Sequence, residues 1–159
     1  DYGLYFYFYT PCLLFPYYDQ DGSLIGVQSR YLGTNEKAPR FQFMSSQKTR
    51  LYNLPILNCL DRGDKLYISE GITDCLALLS DGLKAVAIPS ATILPKEDLI
   101  LLKNYELHMY PDRDEAGQKA FVELRHFFIN HYSMVRAEVL PEGVKDYCDY
   151  YIKKHKTRG

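Results

Sequence analysis

The chain has 159 residues, 47% of them hydrophobic and 25% charged, and carries a formal net charge of −1. This composition is typical of one globular domain, or of one domain with a smaller lobe. It excludes a globally basic nucleic-acid-binding protein, so any such surface must be a local patch. The four cysteines form no Cys-x-x-Cys pair, which argues against a zinc site and a secreted disulfide scaffold and predicts a cytoplasmic protein.

Residues 1–60 are predicted to form a small β-rich lobe. The apolar, Tyr-rich residues 1–9 are too short for a membrane-spanning helix, so no membrane association is expected. Apolar runs and turn signals then predict strands over 13–18, 24–31 and 41–43, with an Asp-Gly turn at 19–22 and a short helix after 51–54.

From residue 61 the pattern changes to alternating strands and helices. Strands are predicted over 65–69, 84–88, 106–110 and 134–140, and helices begin at residues 72, 95, 115 and 146. Strand-helix alternation with short connections predicts a four-stranded parallel sheet flanked by helices, an α/β fold. We place this domain at 61–152 and a basic tail at 153–159.

Acidic residues follow three of these four strands. Glu70 ends the first strand, Asp112 and Asp114 end the third, and Asp146 and Asp149 follow the fourth. Because the carboxyl ends of parallel strands share one edge of a sheet, these side chains are predicted to lie together. Gathered carboxylates hold Mg²⁺ or Mn²⁺ against phosphates, which points to phosphoryl transfer on nucleic acid.

Each acidic residue also has a structural interpretation. Asp114 and Asp146 precede helices and could be N-caps. Asp74, in the first turn of a helix, suits the helix dipole, and Asp149 could be a solvated helix residue. Glu70 is the hardest to explain as structure, because Gly71 follows it at the strand end and no helix needs its carboxylate.

A basic cluster lies in the first part of the chain, interleaved with aromatic residues. Its cations could hold phosphates while the rings stack on bases, or the cluster could be surface charge around a β core. The predicted nucleic-acid or nucleotide contacts are Arg30, Arg40, Lys48 and Arg50.

Three motifs resemble the TOPRIM domain. Residues 67–74 resemble its first motif, a strand that ends in Glu-Gly with an Asp four residues after the Glu, and 110–117 resemble its Asp-x-Asp motif followed by Ala-Gly. Residues 145–149 are similar to the Lys-Asp-x-x-Asp element of primase-like members, which adds Lys145 to the predicted nucleotide contacts. Each motif is weak alone, but the three occur in order at strand ends.

The preceding lobe narrows the resemblance to the catalytic core of DnaG-type primases. Residues 14–30 are similar to their apolar-Pro strand, Asp-x-x-Gly turn and strand ending in Arg, and 39–41 and 51–54 to later elements of that lobe. The resemblance implies synthesis of RNA primers from NTPs on single-stranded DNA with Mg²⁺ or Mn²⁺. It also implies a replicative helicase as a partner through regions absent from this sequence.

The resemblance also assigns roles to the carboxylates. Asp112 and Asp114 would ligate metal with help from Asp146 and Asp149, and Glu70 would complete the site or act as general acid or base.

The chain departs from chromosomal primases at three places. Ser90-Ala91-Thr92 stands where chromosomal primases usually have a Gly before the Thr, and Arg113 replaces a small residue inside Asp-x-Asp. The 146–149 spacing is more like that of phage, plasmid and integrated-element primases. Two alternatives stay open: a TOPRIM nuclease that uses the same carboxylates on water, and a non-catalytic nucleic-acid-binding module of a mobile element. A topoisomerase is less favoured, because no region offers a context for a Tyr nucleophile.

Overall fold

The computed structural model describes residues 4–7, 10–43, 49–90 and 93–156. The chain divides into two compact units, Asp1–Lys48 and Thr49–Gly159. We predicted a boundary at residue 60, and the structure instead groups residues 49–60 with the second unit. Among the described residues no helix is both long and apolar enough to cross a membrane.

The first unit contains a four-stranded antiparallel sheet in the order β1-β2-β3-β4. The predicted turn joins β2 to β3, where the Gly22 amide donates to the Asp19 carbonyl at 3.1 Å and Gly22 adopts a φ of 88°. A positive φ is accessible to glycine at little cost, which explains the Asp-Gly pair here. The strands are β1 (Leu4–Tyr7), β2 (Thr10–Tyr18), β3 (Leu24–Tyr31) and β4 (Phe41–Phe43).

The second unit contains a four-stranded parallel sheet in the order β6-β5-β7-β8, flanked by helices. This arrangement confirms the predicted α/β fold. The strands are β5 (Lys65–Glu70), β6 (Ala85–Ile88), β7 (Glu106–Met109) and β8 (Val135–Ala137). The helices are α1 (Ile72–Ser80), α2 (Lys96–Leu99), α3 (Glu115–Ile129) and α4 (Tyr147–Lys156), with 3₁₀ helices at Leu54–Cys59 and Ile100–Asn104.

The two faces of the parallel sheet are covered differently. Alternate strand residues such as Leu66 and Ile68 are fully buried in one core with Leu124 and Phe128 of α3. On the other face, where α1 and α4 pack together, Tyr110 stacks on Tyr67 at 5.8 Å between ring centroids and contacts Tyr147 of α4 at 4.8 Å. Helices on both faces leave the ends of the strands as the accessible edges of the sheet.

Several elements differ from their predicted bounds, and β2 begins at Thr10 rather than at residue 13. β8 ends at Ala137 rather than residue 140, because it pairs only with β7, which ends at Met109; the Glu138 amide completes this pairing on the Met109 carbonyl at 2.7 Å. The helix after Pro95 has only four α-helical residues before it tightens into a 3₁₀ helix. Residues 153–156, predicted as tail, belong to α4, and 157–159 lie outside the described residues.

Candidate functional site

The carboxyl end of β5 turns sharply into α1. Glu70 is the last residue of β5, and Gly71 precedes α1 with a φ of 81° and a ψ of 162°. A side chain at this φ would be strained although no atom lies within 4 Å of an added Cβ, so the Glu-Gly pair reflects backbone conformation rather than crowding. The turn leaves Glu70 at the sheet edge.

Glu70 carries an uncompensated charge in its ionised form. Its Oε1 is buried and has no hydrogen-bond partner among the described residues. Burial, reinforced by the negative charges of Asp112 and Asp114, raises the pKa of Glu70 to about 7. A carboxyl group in this position holds its proton near neutral pH unless a cation replaces it.

Asp112 and Asp114 follow β7 and are fixed by the first turn of α3. Asp114 is the N-cap of α3, and its Oδ1 accepts a 2.8 Å hydrogen bond from the Gly117 amide. The Gln118 side chain donates to the Asp112 carbonyl at 2.9 Å. Burial, with added repulsion from Asp146 and Asp114, raises the pKa of Asp112 to about 6.

Gly117 is required by the close approach of α3 to Asp112. A Cβ at position 117 would lie 2.6 Å from the Asp112 Cβ and 2.7 Å from the Asp112 carbonyl oxygen. The Ala-Gly that follows Asp-x-Asp therefore has a steric cause.

Asp146 directly precedes α4, and Asp149 lies in its first turn. The Asp149 amide donates to Asp146 Oδ1 at 2.8 Å, and Lys145 Nζ lies 3.9 Å from Asp146 Oδ2. Asp149 Oδ2 accepts from Lys153 Nζ at 2.8 Å and from the Lys145 amide at 3.2 Å, and these bonds lower the pKa of Asp149. The charge of Asp146 raises the pKa of Asp112 and of Asp74, whereas Asp149 forms an ion pair on its own helix.

Asp74 is both a structural tie and part of the acidic group. It is buried in the first turn of α1, and its Oδ1 accepts a 2.7 Å hydrogen bond from the Cys148 amide of α4. Burial raises its pKa to about 7 against the effect of that bond, and the charges of Asp112, Asp146 and Glu70 raise it further.

We call the mutually repelling carboxylates the acidic edge. Among the described residues, no three His, Cys, Asp or Glu side chains are arranged as a ready ligand set for a metal ion. Hard carboxylate oxygens nevertheless suit Mg²⁺ or Mn²⁺, and the unpartnered Oε1 of Glu70 and the raised pKa values mark negative charge that a cation would neutralise. The residues present thus fit a divalent cation, provided that the side chains rotate toward it. The acidic edge consists of Glu70, Asp74, Asp112, Asp114 and Asp146.

Two of the predicted basic contacts line one cavity in the first unit. Arg30 and Arg40 lie on a cavity of about 480 Å³, together with the loop after β3. The Arg30 guanidinium lies 5.5 Å from the centroid of the Phe41 ring. The cavity is lined by residues 30–36, Ala38 and Arg40.

The other predicted basic contacts are placed differently. The Nε of Arg50 donates to both carboxylate oxygens of Asp98 at 3.0 and 2.8 Å, and the Asp98 side chain is only 5% exposed. This ion pair gives Arg50 a structural role within the second unit. Lys145 is 70% exposed beside the acidic edge. Lys48 lies outside the described residues. Residues 91–92, which belong to the stretch that departs from chromosomal primases, also lie outside them.

Arg113 has contacts that the sequence did not reveal. Its Nη2 donates to the Leu140 carbonyl at 2.7 Å and to the Pro141 carbonyl at 2.8 Å. Its backbone amide donates to the Lys145 carbonyl at 3.3 Å. The presence of Arg where a small residue is usual inside Asp-x-Asp was the one signal in the sequence.

Comparison with known proteins identifies the family. A family model described as Toprim-like matches residues 67–151, which is more than half of the chain. The chain belongs to the Toprim-like family. The predicted TOPRIM domain is therefore confirmed, and the acidic edge is the strand-end edge of a Toprim-like sheet.

DNA primases are among the proteins similar to this chain. A DNA primase of Clostridium acetobutylicum is 32% identical over an alignment of 152 residues, and this alignment covers 90% of this Toprim-like chain and 24% of that protein. The primase fragment of the bacteriophage T7 primase-helicase has a TM-score of 0.73 at 23% identity, with 97% of this chain and 62% of that chain covered. A DnaG primase catalytic domain bound to single-stranded DNA has a TM-score of 0.71 at 23% identity, with 92% and 49% covered. The chain spans about a quarter of the length of the Clostridium primase. At 23% identity, the similarity to the two solved structures shows a shared fold and no more.

Proposed function

We propose that this chain is part of the catalytic core of a DNA primase and makes RNA primers from NTPs on single-stranded DNA in a metal-dependent reaction. The observation that carries the proposal is the extent of the likeness to DNA primases. The likeness to the Clostridium primase covers 90% of the chain, whereas the Toprim-like match covers only 67–151. A nuclease or topoisomerase of the same family has no reason to share the antiparallel first unit as well.

The acidic edge supplies the chemistry in this proposal. Glu70, Asp112 and Asp114, with Asp146, would hold Mg²⁺ or Mn²⁺. Such an ion lowers the pKa of a bound hydroxyl nucleophile and neutralises charge on the reacting phosphate. Direct contact of Asp149 with the ion stays a prediction, because its carboxylate pairs with Lys153.

Glu70 is also suited to proton transfer. Its pKa of about 7 lets both protonation states be populated near neutral pH, which is the condition for an efficient general acid or base. No hydrogen-bond donor among the described residues contacts the buried Oε1, so this oxygen is not already engaged by another protein group. The turn at Gly71 places the Glu70 backbone at the end of β5, directly before α1.

The cavity of the first unit is the proposed contact for template or nucleotide. Arg30 and Arg40 present two guanidinium groups along its wall, and Phe41 adds an aromatic ring beside Arg30. Arginine forks bind phosphates in two-point contacts, and rings stack on bases in single-strand binders. Lys145, exposed beside the acidic edge, and Lys48 are proposed as further nucleotide contacts.

The relatives also suggest partners. One similar structure is a primase domain bound to single-stranded DNA, and another comes from a primase-helicase. We therefore propose single-stranded DNA as template, a replicative helicase as partner through other regions of the protein, and a cytoplasmic location.

The test is incorporation of labelled NTPs on single-stranded DNA with Mn²⁺. We expect weak, template-dependent primer synthesis that Glu70→Gln abolishes, while the matched control Glu142→Gln, an exposed Glu of the same unit, retains it. The template should remain uncut. Metal-dependent nicking that disappears with Glu70→Gln, without primers, would establish the nuclease instead. DNA binding with neither reaction would establish the non-catalytic module.

A further inference from the structure

Arg113 lies between two carboxylates of the acidic edge, but its guanidinium is directed elsewhere. The guanidinium donates to two consecutive backbone carbonyls, those of Leu140 and Pro141, at 2.7 and 2.8 Å. The cation that lowers the pKa of Asp112 is Lys145. Arg113 is therefore placed to act through position rather than by neutralising its neighbours.

The segment that Arg113 holds leads to Asp146. Leu140 and Val144 are buried, and the Val144 amide donates to the Pro141 carbonyl at 3.3 Å, which closes a turn just before Asp146. The Arg113 amide adds a third bond, to the Lys145 carbonyl. One residue thus joins the loop after β7 to the loop after β8 by three hydrogen bonds.

The opposite side of the loop after β7 is fixed independently. Asp114 caps α3, and Gln118 holds the Asp112 carbonyl. The position of Asp112 relative to α3 therefore does not need Arg113. Asp112 and Asp146 repel each other and lie on different loops, and Arg113 links these two loops directly.

We propose that Arg113 is a positioning residue, which sets the separation of Asp112 and Asp146 by holding the 140–146 segment through two carbonyls. The proposal rests on the proposed function, because the separation matters only if the two carboxylates share a cation. Both bonds come from Nη2, whose two hydrogens lie in the fixed plane of the guanidinium and each reach one carbonyl, whereas a lysine ammonium has no fixed plane to direct its donors. Residues that orient metal ligands affect metal affinity strongly even though they do not touch the ion.

The test is Mn²⁺ binding to the whole chain, measured from the electron paramagnetic resonance signal of free Mn²⁺. Arg113→Met keeps the length of the side chain and removes the donors, and we expect it to raise the Kd roughly tenfold. Arg113→Lys should bind with intermediate affinity. Arg136→Met is the matched control: it removes one cation of the same unit, 63% exposed and paired with Glu106, and should leave the Kd within about twofold.

The outcomes separate this proposal from the proposed function. If the wild type binds Mn²⁺ no better than Asp112→Asn, the metal site fails and the positioning role fails with it. If the wild type binds and the folded Arg113→Met protein has the same Kd with only a lower melting temperature, Arg113 is a fold contact and the positioning role alone is refuted. If Arg113→Met does not fold, Arg113→Lys decides: weaker binding supports the role, and unchanged binding overturns it.

Discussion

Replacing Glu70 with Gln should stabilise the metal-free protein at alkaline pH. The folded chain raises the pKa of Glu70 from its ordinary 4.5 to about 7, chiefly through burial. The folded state therefore binds more protons than the unfolded state between these values, and stability falls as the pH rises through this window. Gln has the same shape without the charge, so the variant escapes this loss.

The size of the effect follows from the pKa difference. Because a tenfold change in a proton equilibrium corresponds to about 1.4 kcal/mol, the ionised Glu70 costs the fold up to roughly 3 kcal/mol at about pH 8, and less than about 0.5 kcal/mol at about pH 4.5. Partial solvent contact reduces the alkaline value, so we expect the variant to melt about 5 °C higher than the wild type at about pH 8.

Thermal melts by circular dichroism at the two pH values measure this difference. Glu142→Gln should show no such pH-dependent gain, since Glu142 is exposed. Added Mn²⁺ should raise the melting temperature of the wild type more than that of Glu70→Gln, because a ligand of the native state stabilises it and the variant has lost a carboxylate. If Glu70→Gln melts at or below the temperature of the wild type at about pH 8 without metal, then ionised Glu70 does not destabilise the folded protein, and the argument from its raised pKa is wrong.

Three further variants test other parts of the structure. Replacing both Arg30 and Arg40 with Ala should reduce the salt dependence of single-stranded DNA binding. If each arginine contacts one phosphate, the slope of log K against log salt should change by about 1.4. An unchanged slope would show that the cavity they line does not bind the DNA. Arg50→Ala should leave that slope unchanged but cost roughly 2–3 kcal/mol in urea unfolding, because the buried Asp98 carboxylate loses its charged partner and keeps the Leu51 amide. A neutral effect on stability would contradict this structural role. Gly117→Ala should cost roughly 1–2 kcal/mol in the same assay through its clash with Asp112, despite the better helix propensity of Ala, and a stabilised variant would disprove the clash.

Local patterns predicted most of the fold. The observed bounds of β3 are those expected from the Asp-Gly turn and the run that follows it. Strand-helix alternation predicted the parallel sheet, and an Asp before a helical pattern predicted the Asp114 cap. These features depend on residues a few positions apart, so the sequence displays them directly.

Contacts between distant residues could not be predicted in this way. Arg50 was expected on the nucleic-acid surface, but its partner Asp98 lies 48 residues away. The bond from Asp74 to the Cys148 amide spans 74 residues. The pair of Asp149 with Lys153 is local by contrast, since the two residues lie four positions apart on one helix, and this spacing by itself favours such an ion pair. Which of several available partners a charged side chain takes is decided by packing of the whole chain.

Asp114 has two roles, as the N-cap of α3 and as a charge of the acidic edge, and one role can be lost without the other. One of its oxygens starts α3, and its charge contributes to the acidic edge. Asparagine caps helices about as well as aspartate, so one substitution can reduce the charge while the helix still begins at the same residue. A descendant of this chain with asparagine at position 114 would then still fold and still match its family in sequence, even if it had lost the proposed activity. A match to the family can therefore persist after the proposed activity is lost, and a measurement of cation binding is the way to tell the two cases apart.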